Sequence, residues 1–161
     1  MLLPEDEVMM ISYTIVAIRD RRDLKEAAAN WFHEKWKVPL QAYLDSMSEN
    51  DGNKTGVPQW YLAIDEAERI LGGLGVIEND FHKRPDLAPN IAAVYVEEHA
   101  RKQGISRALL DHACAEIKAF GRENVYLITG HTNYYEHCGF EFLAMVEEND
   151  GGMIRMYRRK L

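Results

Sequence analysis

The sequence predicts an α/β protein whose central sheet is mixed and twisted, mostly antiparallel, with helices on both faces. Seven short runs rich in β-branched and aromatic residues are separated by polar or glycine-containing stretches. Two stretches with helical spacing follow the first run, and a third joins the fourth run to the fifth. A strand–helix–strand unit of this kind forms a parallel pair. The other strands should be antiparallel, which leaves one parallel pair at the centre of the sheet.

Length and composition indicate one domain, residues 1–161, with residues 1–10 as a loose leader. Hydrophobic residues make up 47% of the chain and charged residues 28%, as is typical of a folded protein. The formal net charge of −7 argues against a general nucleic-acid binder, which needs a basic surface. The N-terminus is acidic, and no apolar run approaches the ~18 residues of a membrane span. We therefore expect a cytoplasmic protein whose two cysteines, Cys114 and Cys138, are free thiols.

The first half of the chain is organised by a few local signals. Asp23 and Glu26 form a capping-box-like start for the first helix, and Pro39 separates it from the second. In chain order, the predicted elements are a strand at residues 11–19, helices at 23–36 and 40–47, a polar loop at 48–56, strands at 59–65 and 70–78, a loop at 79–90, a strand at 91–97, a helix from 105 to about 120, a strand at 124–129, a short helix at 133–137, and strands at 140–147 and 153–159.

Further signals justify the later elements. The helix from residue 105 carries apolar residues three and four positions apart, which gives it one buried face, and Gly121 ends it. The continuously apolar run at 124–129 is typical of a buried strand. Residues 149–152 (Asn-Asp-Gly-Gly) predict a hairpin turn. The glycines at 72–75 indicate a bulged strand with a close backbone approach.

The turn at residues 101–106 (Arg-Lys-Gln-Gly-Ile-Ser) is a candidate phosphate site. It joins an apolar strand to the start of a helix, where backbone N–H groups are free and the helix dipole is positive. Gly104 lets the backbone approach a ligand closely, and Arg101 and Lys102 add charge-assisted contacts. These local properties alone fit several phosphate-bearing cofactors.

Two motifs resemble a known family. Residues 101–106 resemble the Arg/Gln-x-x-Gly-x-Gly/Ala signature of the GNAT superfamily of N-acetyltransferases. Residues 135–140 (Tyr-Glu-His-Cys-Gly-Phe) resemble its later Tyr-Glu-x-x-Gly-Phe signature. The order of elements also matches, over about residues 11–160. Ser106 departs from the pattern, but serine is small and its hydroxyl can donate a hydrogen bond to a phosphate oxygen.

The resemblance implies a function and a cofactor site. The chain would transfer an acetyl group from acetyl-CoA to a primary amine of a small, cationic acceptor by direct attack in a ternary complex, without a metal. A homodimer is a common arrangement in the family. The expected cofactor-binding residues are the main chain of the central strand, the whole turn and one position of the following short helix: Val94, Tyr95, Val96, Arg101, Lys102, Gln103, Gly104, Ile105, Ser106 and Asn133.

The resemblance also implies the catalytic groups. Tyr135 matches the position that donates a proton to the departing sulfur, and a tyrosine is protonated at neutral pH. Its neighbour Tyr134 is expected to be the packing residue. The base is not part of the resemblance: because the amine must lose a proton, the candidates are carboxylates at strand ends, with Glu97 at the end of the central strand and Glu78 and Asp80 after the preceding strand as alternatives. His99, in the turn, is expected to be exposed.

The acceptor side has no such signature. The two early helices and the loop at 79–90 are expected to form it, and the bulky aromatic residues Trp31, Trp36, Trp60 and Phe81 either line it or belong to the core. Two alternative functions stay open at this point. One is a non-catalytic acyl-CoA-binding module that regulates a partner, and the other is a peptide or protein N-acetyltransferase.

Overall fold

The computed structural model describes residues 10–49, 51 and 55–161. Within this part of the chain, the α-helices are α1 (Lys25–Trp36), α2 (Leu40–Ser48) and α3 (Ile105–Ala119). The strands are β1 (Thr14–Ala17), β2 (Gln59–Ile64), β3 (Ile70–Ile77), β4 (Asn90–Val96), β5 (Asn124–Thr129), β6 (Glu141–Glu147) and β7 (Met153–Lys160).

The strands form one sheet in the order β1-β2-β3-β4-β5-β7-β6. Strands β4 and β5, which α3 connects, are parallel, and all other neighbours are antiparallel. The predicted fold class is therefore confirmed. Strand β7 lies between β5 and β6, because the last hairpin folds back into the sheet.

Alternating side chains of β2 show how the sheet is covered on both faces. Trp60, Leu62 and Ile64 pack in the cluster that contains α1 and α2. Tyr61 and Ala63 point to the other face and pack in the cluster that contains α3. Because neither face meets water, all residues of β2 are buried, which confirms the prediction of helices on both faces.

Glycines in β3 allow aromatic side chains to lie against the strand. A Cβ at Gly73 would lie 2.8 Å from the ring of Phe32, and one at Gly75 would lie 2.5 Å from the ring of Trp60. The strand is also bulged against β2, because Leu71 is an extra residue between the pairs Ala63–Gly72 and Ile64–Ile70. The bulged strand with a close approach is thus confirmed.

Two local predictions are wrong. Helix α1 begins at Lys25 without a side-chain cap, because a 3-10 turn over Arg22–Leu24 precedes it and places the apolar Leu24 at the N-cap. The carboxylate of Asp23 accepts hydrogen bonds from Arg21 instead. The expected short helix at 133–137 is a 3-10 turn over Tyr135–Cys138. Apart from Met10, the leader lies outside the described residues, as do residues 50 and 52–54 of the polar loop. None of the described helices has the length and apolarity needed to cross a bilayer.

Candidate active site

The site is an opening between the two parallel strands. Strands β4 and β5 share one register pair, Asn90 with Tyr126, and the N–H of Tyr126 donates to the carbonyl of Pro89 at 3.0 Å. Beyond this pair the strands diverge and leave a cavity of about 490 Å³. Its walls come from β4, β5, the end of α1, helix α2, the loop after β3 and the residues after β6.

A bulge turns β4 toward this cavity. Ala93 has a φ of 56°, a left-handed conformation that an alanine seldom adopts. Its carbonyl accepts a hydrogen bond from the indole N–H of Trp36 at 3.2 Å, so the end of α1 is fixed against the bulge. Val94, the next residue, lines the cavity. Tyr95 and Val96 then resume pairing with β3.

The turn before α3 has the backbone expected of an anion site. Gly104 has a φ of 76° and stands at the N-cap of α3, where no side chain caps the helix. A Cβ there would meet nothing within 4 Å, so the space above this glycine is open. The N–H groups of Ile105, Ser106 and Arg107 have no acceptor among residues 10–49, 51 and 55–161. Unpaired donors and the positive end of the helix dipole therefore face the same open space.

The side chains of the turn are only partly directed at that space. The Nε of Arg101 donates to the carbonyl of Val96 at 3.0 Å, while Lys102 is exposed. The Oε1 of Gln103 accepts from the N–H of Ile11 at 2.7 Å, which ties the start of the described chain to the turn. The Oγ of Ser106 accepts from the hydroxyl of Tyr134 at 2.6 Å, so the serine proton stays free for another acceptor.

Tyr135 lines the cavity and is 9% exposed. Burial raises the pKa of its hydroxyl to about 12, and none of the described residues forms a hydrogen bond with that hydroxyl. It is therefore a protonated donor with no hydrogen-bond partner in the described part of the chain. The packing role expected for Tyr134 is wrong, since this ring is 41% exposed and its hydroxyl reaches Ser106. The cause is the 3-10 turn, which directs the second tyrosine inward.

Asn133 does not lie at the cavity. It is exposed, has a φ of 65°, and precedes the N-cap position of the 3-10 turn, which is Tyr134. The short helix expected to carry Asn133 does not form, so Asn133 lies ahead of the 3-10 turn rather than within a helix.

Glu97 is held away from the cavity by two donors. Its Oε1 accepts from the indole N–H of Trp31 at 2.7 Å and from the Nζ of Lys35 at 2.6 Å. Burial alone would raise its pKa, but these two hydrogen bonds lower it below the ordinary value. Of the other candidates, Glu78 is paired with Arg122 outside the cavity, and His99 is exposed as expected.

Asp80 is the carboxylate that faces the cavity together with Glu148. Burial, and then the charge of Glu148, raise the pKa of Asp80 to about 6. Glu148 follows β6 and is brought here by pairing between the two loops: the N–H of Asn149 donates to the carbonyl of Phe81 at 2.8 Å, and His82 forms a β-bridge with Glu148. No sequence pattern links these distant positions, so Glu148 was not predicted.

A buried polar cluster fixes the loop that carries Asp80. The Nδ1 of His82 accepts from the N–H of Arg84 at 3.1 Å, so its Nε2 carries the proton and donates to the Oδ1 of Asn90 at 2.6 Å. The side chain of Asn79 closes the turn by accepting from the N–H of His82 and donating to its carbonyl. Asp80 therefore projects from a rigid support.

The four aromatic candidates divide into two groups. Trp36 and Phe81 line the cavity and are 46% and 57% exposed, and Trp60 lines it from below while also packing in the core. Trp31 is a core residue, packed on Phe32 with ring centroids 4.9 Å apart, and does not reach the cavity.

A comparison with sequence models of protein families identifies the family of this chain. The sequence model of the family described as "Acetyltransferase (GNAT) domain" matches residues 58–142, a little more than half of the chain. This range contains both signature motifs. The chain belongs to the GNAT acetyltransferase family. As a member, it is an acyltransferase, and the turn at 101–106 and the segment at 135–140 are its two family signatures.

Solved structures share the GNAT fold across nearly the whole chain. An aminoglycoside 6'-N-acetyltransferase complexed with coenzyme A superimposes with a TM-score of 0.69 at 15% identity, covering 91% of this chain and 96% of that one. A GNAT acetyltransferase of Staphylococcus aureus Mu50 gives 0.61 at 20% identity, covering 93% and 99%. A phosphinothricin acetyltransferase of Sinorhizobium meliloti in complex with AcCoA gives 0.63 at 17% identity, covering 95% and 89%.

A comparison with curated proteins found no match. The low identities of the structural neighbours establish the GNAT fold and leave the acceptor to be argued from this chain's own cavity.

Proposed function

We propose that this GNAT protein transfers the acetyl group of acetyl-CoA to a primary amine of a small acceptor. One observation supports this proposal above the others. The unpartnered hydroxyl of Tyr135 and the carboxylate of Asp80 line the same cavity. A group that donates a proton and a group that takes one therefore both face the space where the amine would bind.

The residues around the turn fit the phosphates of acetyl-CoA. The open space over Gly104 and the free N–H groups of Ile105 and Ser106 suit a pyrophosphate. The N–H of Gln103, the Ser106 hydroxyl, and the Arg101 and Lys102 side chains can add donors there. The main chain of Val94, Tyr95 and Val96 borders the opening to β5, where an extended pantetheine arm can lie. Asn133, exposed just before the turn that carries Tyr135, is also proposed as a cofactor contact.

The proposed chemistry balances with two protein groups. When bound, acetyl-CoA supplies an acetyl group activated as a thioester. The amine nitrogen attacks the carbonyl carbon, so a C–N bond forms and the C–S bond breaks in one ternary complex. Tyr135 donates its hydroxyl proton to the departing sulfur, and Asp80, directly or through a water, takes the proton that the amine loses.

The pKa values of the two groups suit these roles. A free alkylamine has a pKa of about 10.4 and must lose a proton before it attacks. Asp80, with its pKa raised to about 6, is ionised at neutral pH and is a stronger base than an ordinary aspartate. Tyr135, with its pKa raised to about 12, keeps its proton until the thiolate forms.

We favour Asp80 over Glu97 as the base because of their surroundings. The carboxylate of Glu97 is already bonded to Lys35 and Trp31, and its pKa is lowered. A carboxylate in that state accepts a further proton poorly. Asp80 has no hydrogen-bond partner among the described side chains.

The proposal is tested by mixing the protein with acetyl-CoA and a panel of amines and short peptides, with free CoA thiol as the readout and mass spectrometry for the product. We expect thiol release that depends on a small amine, with an N-acetylated product. Tight CoA binding without thiol release for any acceptor would favour the regulatory module, and release with peptides alone would favour a peptide N-acetyltransferase.

A further inference from the structure

We propose that the acceptor is a monoamine with a flat, apolar body and no carboxylate, such as an arylalkylamine. The inference rests on the proposed function and names the substrate class of the same cavity. It follows from three properties of the acceptor wall: its aromatic surface, its single anionic end and the absence of lysine and arginine among its described residues.

The two indole side chains of the wall offer ring surface rather than hydrogen bonds, because their N–H groups are already bonded within the protein. The indole N–H of Trp60 donates to the Oγ of Ser46 at 2.9 Å, and that of Trp36 donates to the carbonyl of Ala93. Tyr43 packs edge-on against Trp60 with ring centroids 5.4 Å apart. With the exposed ring of Phe81, these residues form an apolar lining that favours a flat apolar body.

The negative charge of the cavity is confined to one end. Among the lining residues in the described part of the chain, the acidic ones are Asp80 and Glu148, which the loop pairing around His82 holds side by side. One ammonium group can bind there. A second ammonium on a long chain would lie against the apolar lining, where an unpaired charge is unfavourable.

Lysine and arginine are missing from the described part of the same wall, and His131 lines it just after β5. No lysine or arginine lines the cavity within residues 10–49, 51 and 55–161. A carboxylate next to the reacting amine would meet Asp80 and Glu148 without a compensating lysine or arginine. Amino acids should therefore be poor acceptors.

Three amines test these properties separately. 2-Phenylethylamine and L-phenylalanine differ in one carboxylate, and spermidine carries extra ammonium groups on an aliphatic chain. With acetyl-CoA and thiol release as the readout, we expect kcat/KM for 2-phenylethylamine to exceed that for L-phenylalanine by about 100-fold and that for spermidine by about tenfold. Equal or faster turnover of spermidine or L-phenylalanine would overturn the inference and leave the proposed acetyl transfer standing.

A matched pair of variants tests whether the aromatic wall causes the preference for an aromatic amine. Phe81→Ala should lower kcat/KM for 2-phenylethylamine about tenfold, mainly through KM, and change that for n-butylamine little. Phe142→Ala removes a ring that is 45% exposed and lies over Arg155 outside the cavity, and should change neither value. An equal loss of kcat/KM for both amines in Phe81→Ala would contradict the claim that this ring binds the flat body of the acceptor. No thiol release with any amine, despite CoA binding, would overturn the proposed function and this inference together.

Discussion

The cofactor side and the acceptor side of the cavity are built in different ways. On the cofactor side, the candidate contacts are main-chain groups of one continuous stretch, from Val94 in β4 to Ser106 at the start of α3. On the acceptor side, the contacts are side chains from separate segments: the end of α1, helix α2, the loop after β3 and the residues after β6. Main-chain recognition tolerates many side chains but requires a few glycines and small residues, so it leaves a short motif in the sequence. Recognition by side chains from separate segments leaves no such motif.

The two sides also differ in electrostatics. The cofactor turn combines a helix N-terminus with Arg101 and Lys102 and suits anions. The acceptor end presents Asp80 and Glu148 and suits a cation. A cavity with opposite potentials at its two ends orients a phosphate-bearing donor and an amine toward each other. The following predictions test this division.

The largest effect is expected from Gly104→Glu. It forces a side chain into a left-handed backbone, which costs about 1–2 kcal/mol, and adds negative charge at the anion site. We expect CoA to lose its stabilising effect on thermal unfolding, an effect that follows from binding to the folded state alone. The measurement is the Tm with and without CoA.

Gly121→Glu is the matched control for that variant. Gly121 stands just beyond the other end of α3, also has a positive φ, and has nothing within 4 Å of a Cβ. Both variants should therefore lose similar stability, and Gly121→Glu should keep the CoA-induced shift. If Gly104→Glu also keeps the shift, the anion site lies elsewhere.

The next largest effect is expected when the two candidate bases, Asp80 and Glu97, are replaced in turn. Asp80→Asn should lower kcat/KM by about 100-fold and remove the acidic limb of its pH profile near pH 6, because a general base contributes on this scale. Glu97→Gln should keep that limb, because the Glu97 carboxylate is already bonded to Lys35 and Trp31. Loss of the limb in Glu97→Gln, with its retention in Asp80→Asn, would reverse the assignment.

The buried charge of Asp80 should also lower the free energy of unfolding at neutral pH. Its folded-state pKa of about 6 lies above the unfolded value of about 3.9, so the folded protein loses stability as the pH rises between these values. Asp80→Asn has no charge to bury. Its stability relative to wild type should increase by about 2 kcal/mol from pH 4 to pH 8. Urea unfolding at several pH values measures this, and a pH-independent difference would contradict it.

The smallest effect is expected at Ser106. Its hydroxyl accepts from Tyr134 and has one proton left to donate. Ser106→Ala removes that proton and restores the residue size of the family signature. We expect a weakening of CoA binding by about fivefold, the value of one hydrogen bond. Unchanged affinity by calorimetry would show that the free N–H groups of α3 are sufficient.

The same difference explains what the sequence could predict. The parallel pair, the glycine turn and the buried strand β5 follow from periodicity and local backbone requirements, and the structure confirms them. Glu148 could not be predicted, because it reaches Asp80 through pairing between two loops that are distant in sequence.

The sequence-based predictions were wrong where a side chain had two possible hydrogen-bond partners or a short segment had two possible backbone conformations. Asp23 could cap α1 or pair with Arg21, and it pairs with Arg21. The segment around Asn133 could form a full helical turn or a tighter one, and the tighter 3-10 turn exchanges the expected roles of Tyr134 and Tyr135 in packing. Burial of Tyr135 places its hydroxyl at the cavity without altering the assignment made from the motif.

Tyr135→Phe tests the central claim most directly, because it removes one oxygen from a buried ring. With a good amine acceptor, we predict that kcat falls by at least about 100-fold while the Kd for CoA and the Tm change little. Tyr126→Phe, a buried tyrosine of β5 in a separate cluster, serves as the control and should keep its kcat. A kcat within about threefold of wild type in Tyr135→Phe would contradict the claim that this hydroxyl protonates the departing sulfur.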